Sequence, residues 1–289
     1  MAADPAAQGV ELLPAAPSLP PLFVKAMLAR RHGDALTGRA VRLTGQQIDV
    51  QRLWRYQRLC GFRVSDVLPP TYLHLLAFPL SVELMAGSAF PLPLLGLVHI
   101  SNSIQQLRPV RASEPVAVTV CAQNLRSHPA GRQVELASEV SIDGRTVWRE
   151  VSTYLHREHA SERPVRAAAP PAPAGPVIRW QVPAGIGRAY AAISGDRNPI
   201  HLSTLSAKAF GFRAAIAHGM WLEARSLAAF EGRLPAAGRF DVSFKTPVYL
   251  PATVQLQAVP AAAGWQFEVH DERSGRPHLA GTISGWTSG

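Results

Sequence analysis

Apolar and polar positions alternate along residues 239–286 and predict four antiparallel strands in the C-terminal part of the chain. The clearest run is Phe240-Asp-Val-Ser-Phe-Lys245, where every second side chain is apolar, which is the period of a strand with one buried face. A helix-forming segment and a longer apolar helix precede these strands, and the same order of elements occurs earlier in the chain. Helices packed on one antiparallel sheet give an α+β fold. The predicted strands are Arg239–Leu250, Thr253–Val259, Trp265–Asp271 and His278–Trp286.

An internal duplication is indicated by short segments that recur in the same order on both sides of a Pro/Ala-rich stretch. That stretch, residues 157–177, has no periodic apolar pattern and predicts an extended linker. We therefore expect a flexible N-terminus at 1–20, a first unit at 21–156 and a second unit at 178–289. The recurring pairs are Tyr56–Gly61 with Tyr190–Gly195, Glu83–Gly87 with Phe230–Gly232, Pro109-Val110 with Pro247-Val248, and Gly144-Arg145 with Gly275-Arg276.

Composition narrows the class of protein. A chain of 289 residues with 47% hydrophobic content can bury packed cores. It has no apolar run long enough to span a membrane and no secretory signal, and its two cysteines, Cys60 and Cys121, are too few for a disulfide framework. We expect a cytoplasmic protein. The net charge of +9 favours an anionic ligand locally, but no basic block or nucleic-acid-binding module accompanies it.

Candidate chemistry is concentrated in residues 194–220. Asp196, Asn198 and His201 lie around a turn that Pro199 stiffens, and a carboxylate beside an imidazole suits proton transfer to and from water. Gly219 follows His218 at the start of an apolar helical pattern, where a bare backbone N–H, supported by the helix dipole, can stabilise an oxyanion. The pattern indicates an acid–base enzyme that acts next to a polarised carbonyl.

This segment resembles the hydratase-2 motif of MaoC-like (R)-specific enoyl-thioester hydratases and 3-hydroxyacyl-thioester dehydratases. Residues 66–102 also resemble the N-terminal half of bacterial double-hotdog acyl dehydratases. The resemblance implies a double hotdog fold and reversible hydration of trans-2-enoyl thioesters to (R)-3-hydroxyacyl thioesters, carried by coenzyme A or acyl carrier protein. It implies no metal or redox cofactor. The matching residues are Ser194-Gly195-Asp196, Asn198-Pro199-Ile200-His201, Gly211-Phe212 and Ala217-His218-Gly219-Met220.

The resemblance assigns roles to six of these residues. Asp196 and His201 would be the catalytic pair, Asn198 would position the site, and the Gly219 amide would bind the thioester oxygen. His218 and Gly195 would contact substrate. Relatives often carry a serine eight residues after the helix-start glycine, where this chain has Leu227. Ser226 stands one position earlier, about 100° away on an ideal helix, so we give it no catalytic role.

Each of these residues also has a structural explanation. Asp196 and Asn198 are common turn residues, His218 could make only a local hydrogen bond, and Gly219 could simply allow close packing. A metal site is the poorer interpretation, because no third ligand of suitable spacing is evident. The apolar residues of the following helix, Met220, Leu222, Leu227 and Phe230, are assigned to the core.

The first unit differs where the chemistry would lie. Between Gly61 and the comparable His74 the chain is ten residues shorter than between Gly195 and His218, and it has no Asp-x-Asn-Pro-x-His sequence. We therefore predict one active site per chain, with the first unit as structural partner and wall of the acyl tunnel. Pro79 predicts a kink or break in the main helix of that unit.

Two other functions compete with a hydratase. A hotdog thioesterase would use a carboxylate on or near the main helix, and Glu223 and Glu231 are candidates, although both fit a solvated helix face. A non-catalytic acyl-binding protein is the second alternative. Pairing of two chains into a homodimer is a further expectation, which the internal duplication makes unnecessary.

Overall fold

The computed structural model describes residues 9–28, 35–94, 96–158 and 175–286. The helices are α1 (Leu19–Leu28), α2 (Val50–Cys60), α3 (His74–Met85), α4 (Ile186–Ser194), α5 (Pro199–Leu202), α6 (Thr204–Ala209) and α7 (Gly219–Ala228). The strands are β1 (Val10–Leu12), β2 (Ala40–Gln46), β3 (Leu97–Gln106), β4 (Val116–His128), β5 (Gly131–Ile142), β6 (Arg145–Arg157), β7 (Val177–Val182), β8 (Gly238–Phe244), β9 (Ala252–Ala261), β10 (Gly264–Asp271) and β11 (Pro277–Gly285).

All described strands form one sheet whose order has a mirror symmetry that reflects the duplication. The order is β1-β2-β4-β5-β6-β3-β8-β11-β10-β9-β7. If β1 is set aside, the five strands before the β3–β8 junction correspond one by one, in reverse, to the five strands after it. At the junction the two strands pair antiparallel, with Ser101 opposite Ser243 and Ile104 opposite Phe240. The sheet of one half therefore continues into the sheet of the other.

The helices cover one face of this sheet and share a single hydrophobic core that includes residues from both halves. Helix α3 packs on β2, β4 and β5, and α2 contacts both α4 and α7. The indole N–H of Trp221 in α7 donates to the backbone oxygen of Leu59 in α2 at 3.3 Å. Helix α7, the counterpart of α3, is thus held against the first half as well as its own.

Pro79 does not break α3, which runs from His74 to Met85 with the proline inside it. A proline leaves the carbonyl four residues earlier without its helical partner. Here that carbonyl belongs to Leu75, and it accepts a hydrogen bond from the Arg52 guanidinium at 3.5 Å. Arg52 also donates to the backbone oxygen of Ile193 at 2.8 Å, so one side chain supports α3 and the end of α4.

Three predicted strands of the second half are found with shifts of one or two residues at their ends, but the strand predicted at Arg239–Leu250 ends at Phe244, six residues early. Asp143 and Gly144 form the hairpin turn where β5 leads into β6, and both have the positive φ that such a turn favours, 48° and 76°. Within the N-terminal segment predicted at 1–20, Val10–Leu12 pairs parallel with β2. Residues 1–8 of that segment and most of the predicted linker lie outside the described residues. No helix in the described ranges is long and apolar enough to cross a membrane.

Candidate active site

A cavity of about 490 Å³ lies between the two halves, and it contains the residues that the motif singled out. Asp196, Asn198, His201, His218 and Gly219 all line it. The first half contributes part of the wall, as the duplication predicted. Its apolar contributions include Phe78, Met85, Leu94 and Leu97.

The turn that begins the site is fixed by its own side chains. Oδ1 of Asp196 accepts the backbone N–H of Asn198 at 3.1 Å, and Oδ1 of Asn198 accepts the N–H of Ile200 at 3.4 Å. Asn198 thereby caps α5, whose first residue is Pro199, a position where a missing N–H is harmless. Asp196 can therefore both stabilise the turn and act in catalysis, because the turn uses only Oδ1 and leaves Oδ2 for a water molecule or substrate.

His201 is oriented by one ring nitrogen. Its Nδ1–H donates to the backbone oxygen of Ile216 at 2.9 Å, so in the neutral ring the lone pair is on Nε2. Burial lowers the pKa of His201, which the nearby Asp196 and the Ile216 hydrogen bond only partly offset. The imidazole is therefore neutral near pH 7 and able to accept a proton through Nε2.

His218 lies directly on His201, with ring centroids 3.7 Å apart. Its Nε2–H donates to the backbone oxygen of Asp196 at 3.0 Å and lies 3.7 Å from the carboxylate Oδ2. Burial, followed by the neighbouring His201, lowers its pKa to about 3, so this ring is also neutral. The sequence suggested either a substrate contact or a local hydrogen bond for His218. The structure shows a local bond that orients Asp196 and a ring that reaches the cavity.

Asp196, His201 and His218 bring one side-chain atom each to within 4.8 Å of one another. The spacing argument that no third metal ligand exists was therefore wrong, because His218 supplies a third group. One nitrogen of each imidazole is already bonded to a backbone oxygen. A water molecule placed among the three groups would meet a carboxylate oxygen and a basic nitrogen, which is the arrangement that proton transfer requires.

Gly219 is the first residue of α7, and its N–H has no acceptor within the helix. The helix dipole adds to the positive potential at this amide. The packing explanation is also correct, since a Cβ at this position would lie 3.0 Å from a ring atom of Phe244. Glycine thus allows Phe244 to approach at a residue that also lines the cavity.

The structure also places the other residues that the sequence analysis assigned to the site or excluded from it. Gly195 ends α4 with φ of 83°, and its N–H donates to the backbone oxygen of Ala191 at 2.9 Å. It is not among the residues that line the cavity, so its contact with substrate stays a prediction. Ser226 donates to the backbone oxygen of Leu222 at 2.7 Å and is fully buried, in keeping with its exclusion from the site. Met220 and Leu222, assigned to the core alone, also line the cavity.

The carboxylates considered for a thioesterase are not placed for that reaction. Glu223 was expected on a solvated face but is fully buried, does not line the cavity, and has no hydrogen-bond partner among the described residues. Burial raises the pKa of Glu223 well above its ordinary value, so the group is held as the neutral acid. Glu231 accepts the backbone N–H of Arg63 at 3.0 Å, outside the cavity.

Sequence reasoning missed three polar aromatic residues that the first half adds to the cavity wall: His74, His99 and Tyr154. His99 stacks on Tyr154 at 4.6 Å and lies 4.9 Å from Phe244, the ring that packs on Gly219. The only sequence signal was the alignment of His74 with His218. Nothing in that alignment indicated that His74 faces the other half's site.

Comparisons with known proteins agree with this architecture. The family model described as "MaoC like domain" matches residues 180–278. The chain is 38% identical over 256 residues to 3-hydroxyacyl-thioester dehydratase X of Mycobacterium tuberculosis, a match over 87% of this chain and 91% of the relative. A solved structure of HtdX from Mycobacterium tuberculosis has a TM-score of 0.77 at 37% identity, with 86% of this chain and 100% of that chain covered.

A more distant likeness concerns the fold alone. A Mycobacterium tuberculosis protein described as a double hotdog is 12% identical, with a TM-score of 0.53 and coverage of 90% of this chain and 97% of that one. Together with the mirrored strand order, this confirms the predicted double hotdog, an α+β fold.

Proposed function

The chain belongs to the family of MaoC-like acyl-thioester dehydratases, and from that premise we propose that it catalyses the reversible hydration of trans-2-enoyl thioesters to (R)-3-hydroxyacyl thioesters. The relative that is matched over 91% of its length is named a 3-hydroxyacyl-thioester dehydratase. A second relative, which matches 72 residues at 38% identity, is named the 3-hydroxybutyryl-CoA dehydratase of Methylorubrum extorquens. Both names describe hydro-lyases that act on fatty acyl thioesters.

The observation that carries the proposal is the convergence of Asp196 and His201 in the same cavity that Gly219 lines. In the hydration direction, water is held between Oδ2 of Asp196 and Nε2 of His201. His201 removes a proton as the water oxygen attacks C3 of the enoyl group. Electron density moves to the thioester oxygen, where the Gly219 N–H stabilises the enolate-like charge. The Asp196–His201 pair then delivers a proton to C2, so that one water is added across the double bond.

The turn and the second histidine have positioning roles in this mechanism. Asn198 caps α5 and so fixes the distance between Asp196 and His201. His218 binds the backbone of Asp196 and covers one face of the His201 ring. Neither residue needs to exchange a proton, and the low pKa of His218 suits a group that stays neutral.

We propose a coenzyme A thioester or an acyl carrier protein thioester as substrate, with no metal or redox cofactor, since proton transfer and one amide supply the chemistry described above. Exposed Arg157 and Lys245 line the cavity and would favour an anionic carrier. Cys60 and Cys121 are free thiols, which supports a reducing, cytoplasmic environment. A homodimer remains a prediction.

One experiment separates hydration from hydrolysis and from binding. The purified full chain is mixed with crotonyl-CoA and with a longer trans-2-enoyl-CoA, and enoyl absorbance and free thiol are followed together. We expect absorbance to fall without release of thiol. Release of thiol would show a thioesterase, and no change in either signal would show that the protein only binds acyl groups.

The hydrolase alternative has no observation in its favour. The carboxylate on α7 is the neutral, enclosed Glu223, and no residue on the described part of the cavity wall adds a second carboxylate to Asp196.

A further inference from the structure

A second histidine–carboxylate pair lies in the cavity wall, on the side formed by the first half. Nδ1–H of His74 donates to both carboxylate oxygens of Glu150 at 2.9 Å, and both residues are buried. His74 lines the cavity, whereas Glu150 lies behind it. Only Nδ1 of His74 is bonded within the described residues, so its Nε2 remains for a ligand.

The pair is rigidly supported from behind. Nδ2 of Asn102 donates to Glu150 at 2.6 Å and to Oγ of Ser152 at 3.0 Å. These contacts join α3 to strands β3 and β6, and they fix the direction of the imidazole. Burial of a carboxylate costs desolvation free energy, and an apolar pair of the same size would fill this space at a lower cost.

The pair is connected to the catalytic region by a series of ring contacts. His74 stacks on His99 with centroids 6.3 Å apart, and His99 in turn contacts Phe244, which packs on Gly219. Nε2 of His99 is buried and has no hydrogen-bond partner among the described residues. Burial lowers the pKa of His99 to about 3, so this ring is neutral. The His99 nitrogen is enclosed, so the free imidazole edge that follows the oxyanion site along the wall is Nε2 of His74, with the His99 ring packed beside it.

Beyond His74 the wall becomes apolar, with Phe78 on the next turn of α3 and Met85 at its end. An acyl chain that starts at Gly219 would first pass the imidazoles and then reach this apolar part. A simple alkyl chain would leave Nε2 of His74 without a hydrogen bond, at a cost in affinity.

We propose that His74, held by Glu150 and packed beside His99, forms a recognition site for a hydroxyl group on the acyl chain, whose O–H donates to Nε2 of His74. The preferred substrates are then enoyl or 3-hydroxyacyl thioesters that carry a hydroxyl group beyond C3. This inference rests on the proposed hydratase function and names the substrate class of the same site. His74 and His99 take no part in the proton transfer at C2 and C3.

The first test uses the unmodified protein. Initial hydration rates are measured for a medium-chain trans-2-enoyl-CoA and for a series in which a hydroxyl group is moved one carbon at a time from C5 towards the chain end. We expect kcat/KM to reach a maximum at one position, about tenfold above the plain chain, which is the value of one well-made hydrogen bond. A flat series in a protein that hydrates the plain chain overturns this inference alone, and absence of all hydration overturns the proposed function.

Two variants then assign the preference to His74. His74→Asn keeps an N–H donor for Glu150 and removes the nitrogen that faces the cavity, and His74→Phe keeps the ring but has no donor. We expect the ratio of kcat/KM between the best oxygenated substrate and the plain chain to fall to about one in both, since the hydrogen bond is lost. Glu139→Gln, which alters an exposed ion pair with Arg149 on the same sheet, is the control and keeps the wild-type ratio.

Thermal melting checks that each variant is folded. A wild-type ratio in a folded His74 variant overturns the assignment. If neither His74 variant folds, the positional maximum in the unmodified protein decides, because a fixed binding group gives a maximum and a merely wide cavity does not.

Discussion

Replacement of Gly219 by proline and by alanine would separate the two roles of this residue. Proline is tolerated at the first position of a helix, where the missing N–H has no partner within the helix. The residue before it must be extended, and His218 already has φ of −67° and ψ of 138°. The backbone of α7 can therefore accept Gly219→Pro, which removes the amide hydrogen that the mechanism assigns to the thioester oxygen.

The expected difference in kcat between the two variants follows from the crowding that they share. Both add a Cβ that would lie 3.0 Å from a ring atom of Phe244, so both require that ring to move by a few tenths of an ångström. We expect this shared crowding to lower kcat less than tenfold in Gly219→Ala, because the ring contact is the only conflict. Loss of an oxyanion donor typically costs 10²–10³ in kcat, so Gly219→Pro should be about that much slower than Gly219→Ala.

The assay is the initial rate of loss of enoyl absorbance at saturating trans-2-enoyl-CoA, with thermal melting to show that both variants are folded. The comparison is made between the two variants rather than with the unmodified protein. If Gly219→Pro were folded and within threefold of Gly219→Ala, the amide would not be the donor, and the oxyanion would have to be stabilised elsewhere.

The remaining predictions concern the acid–base groups. Asp196→Asn or His201→Ala should lower the hydration rate by several orders of magnitude while the melting temperature stays close to wild type, and a variant with near-normal rate would remove that residue from the mechanism. Gly187→Ala places a Cβ in steric conflict with the backbone oxygen of His201, and a displacement of about an ångström should cost about 10² in kcat. Gly185→Ala, which meets no atom within 4 Å, should leave kcat nearly unchanged. Because the pKa values of His201 and His218 are lowered in the folded state, the unfolded chain binds more protons below about pH 6.5, so the melting temperature should fall as pH is lowered from that value towards 3. A melting temperature that rises over this interval would contradict the buried, neutral state of the two rings.

Much of the catalytic turn could be predicted from sequence because its groups are close along the chain. Asp196, Asn198 and His201 fall within one turn, and local hydrogen bonds decide how that turn is built. The strands of the second half were predicted for a similar reason, since alternation reports one buried face. The position of His218 beside Asp196 could not be predicted from the sequence, because only tertiary packing brings the start of α7 against the turn.

The cavity wall could not be predicted in the same way. His74 and Glu150 are 76 positions apart, and strand pairing alone brings them together. Glu223 was placed on a solvated face because a polar residue on a helix usually marks one. Helix α7 lies between the sheet and α2 of the other half, so eight of its ten residues are buried, and the usual relation between polarity and exposure fails.

The antiparallel junction of β3 with β8 has a consequence for how this enzyme can diverge. In a symmetric pair of identical chains, one gene encodes both the acid–base turn and the wall opposite it, and each substitution appears at two sites. Here α3 and α7 are encoded separately within one sheet. A substitution at Phe78 or His74 alters the acyl end of the cavity and leaves the sequence of the turn at Asp196 untouched. Substrate range and chemistry can therefore be selected independently within one polypeptide.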